Sequence, residues 1–256
     1  MRGVLVETSF FTGNYPPAFS VEACSAEAQV PGEDAAWSVL APARALEGDA
    51  HCFVEVPDQG VWTHVRLNIY PDGGVARFRV FGHPVSLWRE GDGEADLAAA
   101  LNGGRAVAWN DAHFGRAEHL LLPGRGADMG DGWETRRRRE PGHDWCILQL
   151  GLPGVVRRIE VDTAHFRGNF PDRASFQAAY VPGAVDASLP AQSMFWPALM
   201  PERALAADSV QVFEQGLAAL GPVTHVRFNI HPDGGVSRLR LWGLPTPARP
   251  GDRGRG

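Results

Sequence analysis

The residues best suited to acid–base chemistry and to binding a small polar ligand are concentrated in one stretch, from Trp109 to Pro171. Carboxylates, imidazoles and guanidinium groups follow one another there, in sequence that is typical of loops between strands. Carboxylates and imidazoles transfer protons, and arginine binds carboxylates through two parallel N–H donors. This density of ionisable groups in loops is typical of a site carried on a rigid scaffold. The candidates are Asp131, Trp133, Glu134, Arg136, Arg137, His143, His165, Arg167 and Asn169.

Several other chemistries lack their motifs in this chain. The histidines do not have the HExxH spacing or any other metal-ligand spacing, so we expect no metal site built by the protein, and the sequence leaves any cofactor open. There is no glycine-rich phosphate loop and no serine or cysteine in a nucleophile elbow. The four arginines Arg136–Arg139 stand alone in a chain with a net charge of −6, which argues against a nucleic-acid partner.

The overall composition predicts a globular protein. No apolar run approaches the ~20 residues that a membrane-spanning helix requires, so we expect no membrane partner. The three cysteines, Cys24, Cys52 and Cys146, are odd in number and have no redox spacing, which favours reduced thiols in a cytoplasmic protein. We also expect a homo-oligomer.

One stretch of twenty residues occurs twice. THVRLNIYPDGGVARFRVFG begins at Thr63, and THVRFNIHPDGGVSRLRLWG begins at Thr224, 161 positions later. Fourteen of the twenty positions are identical, and five of the six differences exchange apolar, aromatic or small residues. Such self-similarity indicates a duplicated structural unit.

The duplication extends upstream and sets the expected domain boundaries. VETSFFTGNYPP from Val6 aligns with VDTAHFRGNFPD from Val161 at an offset of 155, so the loops of the two copies differ by six residues. The stretch 96–155 has no counterpart in the first copy. We therefore expect the C-terminal part of a first repeat at 1–82, a linker at 83–95, a whole second repeat at 96–243 and a disordered tail at 244–256.

The pattern along the chain is mainly that of strands. In HVRLNIY, Val65, Leu67 and Ile69 alternate with polar residues; PDGG then signals a turn, and VARFRVFG alternates again. This predicts a β-hairpin with one apolar and one polar face. DWCILQLG, VVRRIEVDT and SFQAAYV are further predicted strands, whereas EADLAAALNGG and SVQVFEQGLAALG are predicted short helices. The fold class is all-β, with a sandwich in each repeat.

The polar face of the repeated stretch has two possible roles. Arg66 and Asn68 in the first copy match Arg227 and Asn229 in the second. These side chains either form a solvated or ion-paired face, or they belong to an interface or a site, since arginine is suited to fixed carboxylate contacts.

Several motifs of the chain resemble those of a known family. DGWETRRRREPGHDW, VDTAHFRGNFPD, VETSFFTGNYPP and the two THVR(L/F)NI(Y/H)PDGG copies resemble the allantoicase family, over 1–243. The resemblance implies two tandem jelly-roll domains of the galactose-binding, discoidin-like type. It also implies a hydrolase that converts allantoate and water to ureidoglycolate and urea.

The implied substrate can be matched to residue types. Allantoate carries one carboxylate and two ureido groups on a single carbon. Arg136, Arg137 or Arg167 can bind the carboxylate, and Asp131, Glu134 or Asn169 can accept from ureido N–H groups. Glu134 and His143 are the preferred acid–base pair, with Asp131 orienting and His165 as a further proton-transfer candidate.

Two expectations remain open in the sequence. The alternative function is a non-catalytic jelly-roll module that binds a sugar or another small polar ligand, for which Trp109 and Trp133 are the local aromatic platforms. The second expectation concerns the start of the chain, because a first domain of the family carries its own DGWET-like segment upstream. We therefore expect that Met1 is not the natural start of a complete enzyme and that the chain is poorly soluble and weakly active.

Overall fold

The protein forms two compact units, Met1–His83 and a second unit that begins at Pro84. The structure, a computed structural model, describes residues 1–26, 28, 30–57 and 60–246. The expected tail therefore lies outside the described residues from position 247 onward. Its first residues, Leu244 and Pro245, belong to the last strand of the second unit.

The described residues of the first unit form six strands in two three-stranded antiparallel sheets. The strands are β1 (Gly3–Glu7), β2 (Ala18–Cys24), β3 (Ser38–Ala45), β4 (His51–Glu55), β5 (His64–Tyr70) and β6 (Arg77–Phe81). Their order is β4-β1-β6 in one sheet and β3-β2-β5 in the other. Alternate residues of both sheets, such as Val4 and Val6 on β1 and Phe19 and Val21 on β2, are fully buried and form a shared core.

The described part of the second unit, up to residue 246, contains eleven strands. They are β7 (Ala95–Asp96), β8 (Arg105–Trp109), β9 (Phe114–Gly115), β10 (Trp133–Glu134), β11 (Asp144–Asp162), β12 (Arg173–Ala179), β13 (Ala198–Ala204), β14 (Val210–Phe213), β15 (Val223–His231), β16 (Gly235–Val236) and β17 (Arg238–Pro245). Its one described α-helix, α1, is the short Leu189–Ser193, which follows a 3-10 turn at Asp186–Ser188.

Strand β11 holds the second unit together because it belongs to two layers. Its first half, Asp144–Gln149, pairs with β15 and β8, and its second half, from Gly154, pairs with β17 and β14. The register shifts between Gln149 and Gly154, where the strand passes from one layer to the other. One core joins side chains from both halves of the strand and from their neighbours, so the unit is a β-sandwich.

The structure confirms an all-β fold of two tandem repeats, but the hairpin expectation is wrong. The two arms of the repeated stretch do not pair with each other: in the first unit β5 pairs with β2, whereas β6 pairs with β1 in the other sheet. In the second unit β15 and β17 both pair with β11, along different halves of that strand. The turn signal therefore marks a crossing between layers.

Both predicted helices are also wrong. EADLAAALNGG forms the two-residue strand β7 and a 3-10 turn at Ala100–Asn102. SVQVFEQGLAALG contains β14, which pairs with β11, followed by irregular chain. In both cases pairing with a distant strand overrides the local preference.

The two units share local features as well as sequence. Gly74 and Gly235 each lie against a phenylalanine ring, Phe11 and Phe166, at distances that leave no room for a side chain. In both units the glycine N–H donates to the carbonyl of an asparagine, Asn14 in the first and Asn169 in the second, at 2.7 and 2.8 Å. The second unit thus repeats the first around the loop that carries Asn169.

Candidate active site

Strand β10 places Glu134 next to Asn169. β10 lies between β9 and β16, and its two residues face opposite sides, as in any strand. Glu134 faces the loop after β11, where its Oε1 accepts a hydrogen bond from Asn169 Nδ2 at 2.5 Å. The Gly235 N–H donates to the Asn169 backbone carbonyl, and this hydrogen bond fixes the position of Asn169 beside Glu134.

Trp133 faces the other way and is part of the core. Its side chain is fully buried, and its Nε1 donates to the Asp111 carbonyl at 2.9 Å. A fully buried ring offers no surface to a ligand, so the proposed substrate contact at Trp133 is wrong. The same burial removes Trp133 as the platform of a binding module.

The run of four arginines lines a cleft of about 440 Å³. We call it the arginine cleft; its lining is Asn110, Asp111, Arg136–Arg139, Glu140 and Asp144. The chain is held in place there by Asp111, whose Oδ2 accepts from the Arg136 backbone N–H at 2.6 Å, and by Asp233, whose Oδ2 accepts from the Arg138 N–H at 2.9 Å.

The four arginines differ in how they are paired. Arg138 binds the buried carboxylate of Asp144, and this hydrogen bond raises the pKa of Arg138. The Arg136 guanidinium lies 3.8 Å from Asp111 and is 71% exposed. Among the residues that the structure describes, no acceptor binds the exposed guanidinium groups of Arg137 and Arg139. The cleft therefore offers two free cationic groups.

The Asp131 carboxylate binds Ala127 and Arg238. Its Oδ2 accepts from the Ala127 N–H at 3.0 Å and from Arg238 Nη2 at 2.7 Å. The backbone hydrogen bond from Ala127, together with Arg238, lowers the pKa of Asp131. Its contacts are those of a structural ion pair, and none of them reaches Glu134 or His143, so the expected orienting role lacks its geometry.

His165 and Arg167 form a separate group around Asp208. Asp208 accepts from the His165 N–H at 2.8 Å and from Arg167 Nε at 3.1 Å. The backbone of His165 has a φ of 74°, in the left-handed region, and its Nε2 donates to the Gly126 carbonyl at 2.8 Å. Phe10 of the first unit has the same conformation, with φ 71°, and its N–H donates to Asp49. This is a duplicated loop structure, and the structure does not bring His165 or Arg167 to Glu134.

His143 lies in a polar network on the face of the sheet that β12 and β15 form. We call this network the His143 cluster; its members are His143, Ser175, Gln177, Arg227, Asn229 and His231. Asn229 is at the centre: its Nδ2 donates to Ser175 Oγ and Gln177 Oε1, both at 3.3 Å. Its Oδ1 accepts from Arg227 Nε at 2.8 Å.

This arrangement fixes the protonation of His143. His143 Nε2 lies 3.3 Å from the same Asn229 Oδ1, and an amide oxygen only accepts, so Nε2 carries the proton. Burial lowers the pKa of His143, and the positive charges of Arg227 and Arg138 act in the same direction. In the neutral ring the lone pair is then on Nδ1, which has no hydrogen-bond partner among the described residues. His143 is thus arranged as a base.

The rest of the cluster was missed in the sequence. The His231 ring lies against that of His143, tilted by 40° with ring centres 4.6 Å apart, and His231 Nε2 lies 3.0 Å from Ser175 Oγ. For Arg227 and Asn229 the sequence left open a solvated or ion-paired face and an interface or site; both residues are buried, with 6% and 3% exposure. The signal that identifies the cluster is a difference between the copies: Glu22 faces Arg66 in the first, and Gln177 faces Arg227 in the second.

Comparison with known proteins identifies the family. Residues 1–85 and 95–246 match the family model described as the allantoicase repeat. The chain belongs to the allantoicase family. The two allantoicase repeats include both copies of the duplicated stretch, and the second contains the arginine cleft and the His143 cluster.

Named relatives and a solved structure agree with this family. The chain is 62% identical to a probable allantoicase 2 of Burkholderia pseudomallei, over 94% of this chain and 72% of the relative. It is 55% identical to a probable allantoicase of Ralstonia nicotianae, over 95% and 73%. The crystal structure of allantoicase from Saccharomyces cerevisiae superposes with a TM-score of 0.77 at 36% identity, over 95% of this chain and 73% of that one.

The described residues contain neither a membrane-spanning helix nor a cluster of metal ligands. No helix there is long and apolar enough to cross a membrane. Nor do three or more His, Cys, Asp or Glu side chains come together there as a metal-ligand set.

Proposed function

We propose that this allantoicase-family chain hydrolyses allantoate to ureidoglycolate and urea. Its 62% identity to a probable allantoicase over most of both chains is the observation that carries the proposal. The second repeat adds a base with a free lone pair, His143, and a cleft with unpaired arginines. Both suit a small anionic substrate with a hydrolysable C–N bond.

The reaction replaces one ureido group of allantoate by the oxygen of water. The bond between the central carbon and a ureido nitrogen breaks, water supplies the hydroxyl group, and its other proton leaves with urea. We assign the removal of a proton from water to Nδ1 of His143. Glu134, held by Asn169, is the second proton-transfer group of the proposal.

The arginine cleft supplies attraction and contacts for the substrate. Arg136 and Arg137 are exposed and line the cleft, so their charge raises the local concentration of an anion. Asn169 supplies an amide beside Glu134 for a ureido group. We also propose a cytoplasmic homo-oligomer whose small-molecule partner is allantoate, with neither nucleic acid nor membrane as a partner.

Urea release is the direct test of the function. The full chain is incubated with allantoate, and urea and ureidoglycolate are measured together with the loss of substrate. Equal amounts of the two products support the proposal, and a well-folded chain that releases neither contradicts it. A His143→Gln variant is the matched control, because it should fold and release urea much more slowly.

A further inference from the structure

The arginine at corresponding positions of the two copies, Arg66 and Arg227, has different surroundings. In the first unit Arg66 is paired with Glu22, whose Oε2 accepts from Arg66 Nη2 at 2.7 Å. In the second unit the residue at the same register position is Gln177, which faces Arg227. Arg227 has no carboxylate within ion-pair distance among the described residues.

This unpaired guanidinium is the more buried of the two. The Arg66 side chain is 45% exposed, whereas Arg227 is only 6% exposed. A buried charge without a counter-ion is strongly unfavourable, so proteins normally pair it. The neutral partners of Arg227 are Asn229 Oδ1 at 2.8 Å and Ser193 Oγ at 2.8 Å, and its guanidinium lies 4.3 Å from the centre of the Trp145 ring.

The Arg227 guanidinium has N–H donors without an acceptor among the described residues. Nε and Nη1 have partners, but no described residue accepts a hydrogen bond from Nη2. The cluster reaches solvent through Ser175, Gln177 and His143, all of which are partly exposed. A small ligand can therefore approach the cluster from solvent.

We propose that Arg227 is the binding site for a carboxylate, which supplies the counter-ion that Glu22 supplies in the first unit. The ligand class is a small ureido carboxylate. Identification of this carboxylate with that of allantoate rests on the proposed function, but the existence of the site does not. The site assigns the buried anchoring contact to Arg227, and the exposed Arg136 and Arg137 attract the anion to the cleft.

The location is chemically consistent with hydrolysis. In allantoate the carboxylate is attached directly to the carbon that reacts. A carboxylate at Arg227 therefore brings that carbon to the His143 cluster, where the base is. Because the anchor is a guanidinium, an uncharged amide in place of the carboxylate loses the charge-assisted hydrogen bond.

The test uses a substitution that the first unit already contains. Gln177→Glu places a carboxylate opposite Arg227, as Glu22 lies opposite Arg66. The new carboxylate should form an ion pair with Arg227 and so block the binding of a ligand carboxylate. The reverse change in the other unit, Glu22→Gln, is the matched control. Binding is measured by calorimetry on the full chain with N-carbamoylglycine, which has one carboxylate and one ureido group, and with its primary amide, which lacks the carboxylate.

We expect the wild-type chain and Glu22→Gln to bind the acid at least ~10-fold more tightly than the amide, the typical effect of a charge-assisted hydrogen bond. Gln177→Glu should reduce this preference to within about twofold. Arg227→Met should do the same, and thermal unfolding shows which variants are folded. If Arg227→Met unfolds, Gln177→Glu still decides.

Each result has one meaning. Equal binding of acid and amide by the wild-type chain, or a preference that survives in Gln177→Glu, overturns the carboxylate site. Urea release from allantoate is measured on the same samples. A wild-type chain that prefers the acid but releases no urea contradicts the proposed function alone, whereas urea release without any preference contradicts the carboxylate site alone.

Discussion

His143 donates from Nε2 to Asn229 Oδ1 across 3.3 Å, and the same oxygen accepts from Arg227. One amide oxygen thus connects a histidine of the loop before β11 with an arginine in the middle of β15. The direction of the contact leaves the histidine lone pair on Nδ1. The protonation of Nδ1 should therefore control how the activity depends on pH.

Activity should fall on the acid side with the ionisation of His143. Burial, Arg227 and Arg138 lower its pKa below the ordinary 6.5, whereas the Asn229 hydrogen bond and Asp144 oppose this. A base must be neutral, so kcat/KM should be constant from about pH 7 upward and decrease only below that ordinary value. A pH–rate profile with its acid limb above pH 6.5 would exclude His143 as the base. His143→Gln should remove the limb together with most of the activity.

Glu134→Gln should lower turnover at least ~100-fold, as is typical when a general acid or base is deleted. The variant keeps the shape of the side chain and an oxygen for Asn169 Nδ2, so its unfolding temperature should change little. The measurement is kcat for urea release. Near wild-type turnover eliminates Glu134 as a proton-transfer group.

Arg137→Gln should weaken substrate binding, because it removes a positive charge that attracts the anionic substrate to the cleft. KM should rise severalfold with kcat nearly unchanged, and the same change at Arg136 should have a related effect. Arg167→Gln is the control, since that guanidinium is 83% exposed and pairs with Asp208. Unchanged KM and kcat at both Arg136 and Arg137 would show that they are merely solvated.

Gly235→Ala should destabilise the second unit by about 1–3 kcal/mol, the usual cost of overpacking. A Cβ at this position would lie 2.0 Å from the Phe166 ring. Phe166 is fully buried and has little room to move. Urea denaturation measures the change in the free energy of unfolding, with Gly168→Ala as control because its Cβ would meet no atom within 4 Å. Equal stability of the two variants contradicts the close packing.

Buried His225 should make the protein less stable in acid. Burial lowers its pKa from 6.5 to about 4. The folded state therefore binds this proton less readily than the unfolded state, and stability is complete above pH 6.5 and decreases as the pH falls toward 4. Between pH 7.5 and pH 5 the free energy of unfolding should drop by about 2 kcal/mol from this residue. His225→Gln should reduce the drop, and an unchanged pH dependence in that variant would assign it to other groups.

The sequence determined the fold class and much of its internal order. Alternation of apolar and polar residues predicted the strands that became β5 and β15, because successive side chains of a strand point to opposite faces. In β15 the polar face is buried as well as the apolar one. The duplication was equally visible. The duplicated sequence also contains glutamate in one copy and glutamine in the other, at Glu22 and Gln177. Only the strand pairing shows that both residues lie opposite an arginine.

Strand partners were decided by the tertiary structure. A local pattern indicates that PDGG turns the chain, but it does not indicate which distant strand receives each arm. In the second unit the long strand β11 pairs with both arms, along different halves. For the same reason the apolar residues around Val210 became a strand rather than a helix, since β11 offered an unpaired edge.

Only the tertiary structure decided which of the candidate residues belong together. The sequence supplied Glu134, His143 and the arginines by type, but Trp133 proved to be core and Asp131 proved to be paired with Arg238. For Arg227 the sequence allowed either a solvated or ion-paired face or a site, and the structure shows it buried against Ser193 and Trp145 without a counter-ion among the described residues. Burial and partner distance depend on contacts between residues far apart in the chain, and these contacts determine whether a charged side chain is solvated, paired or free for a ligand.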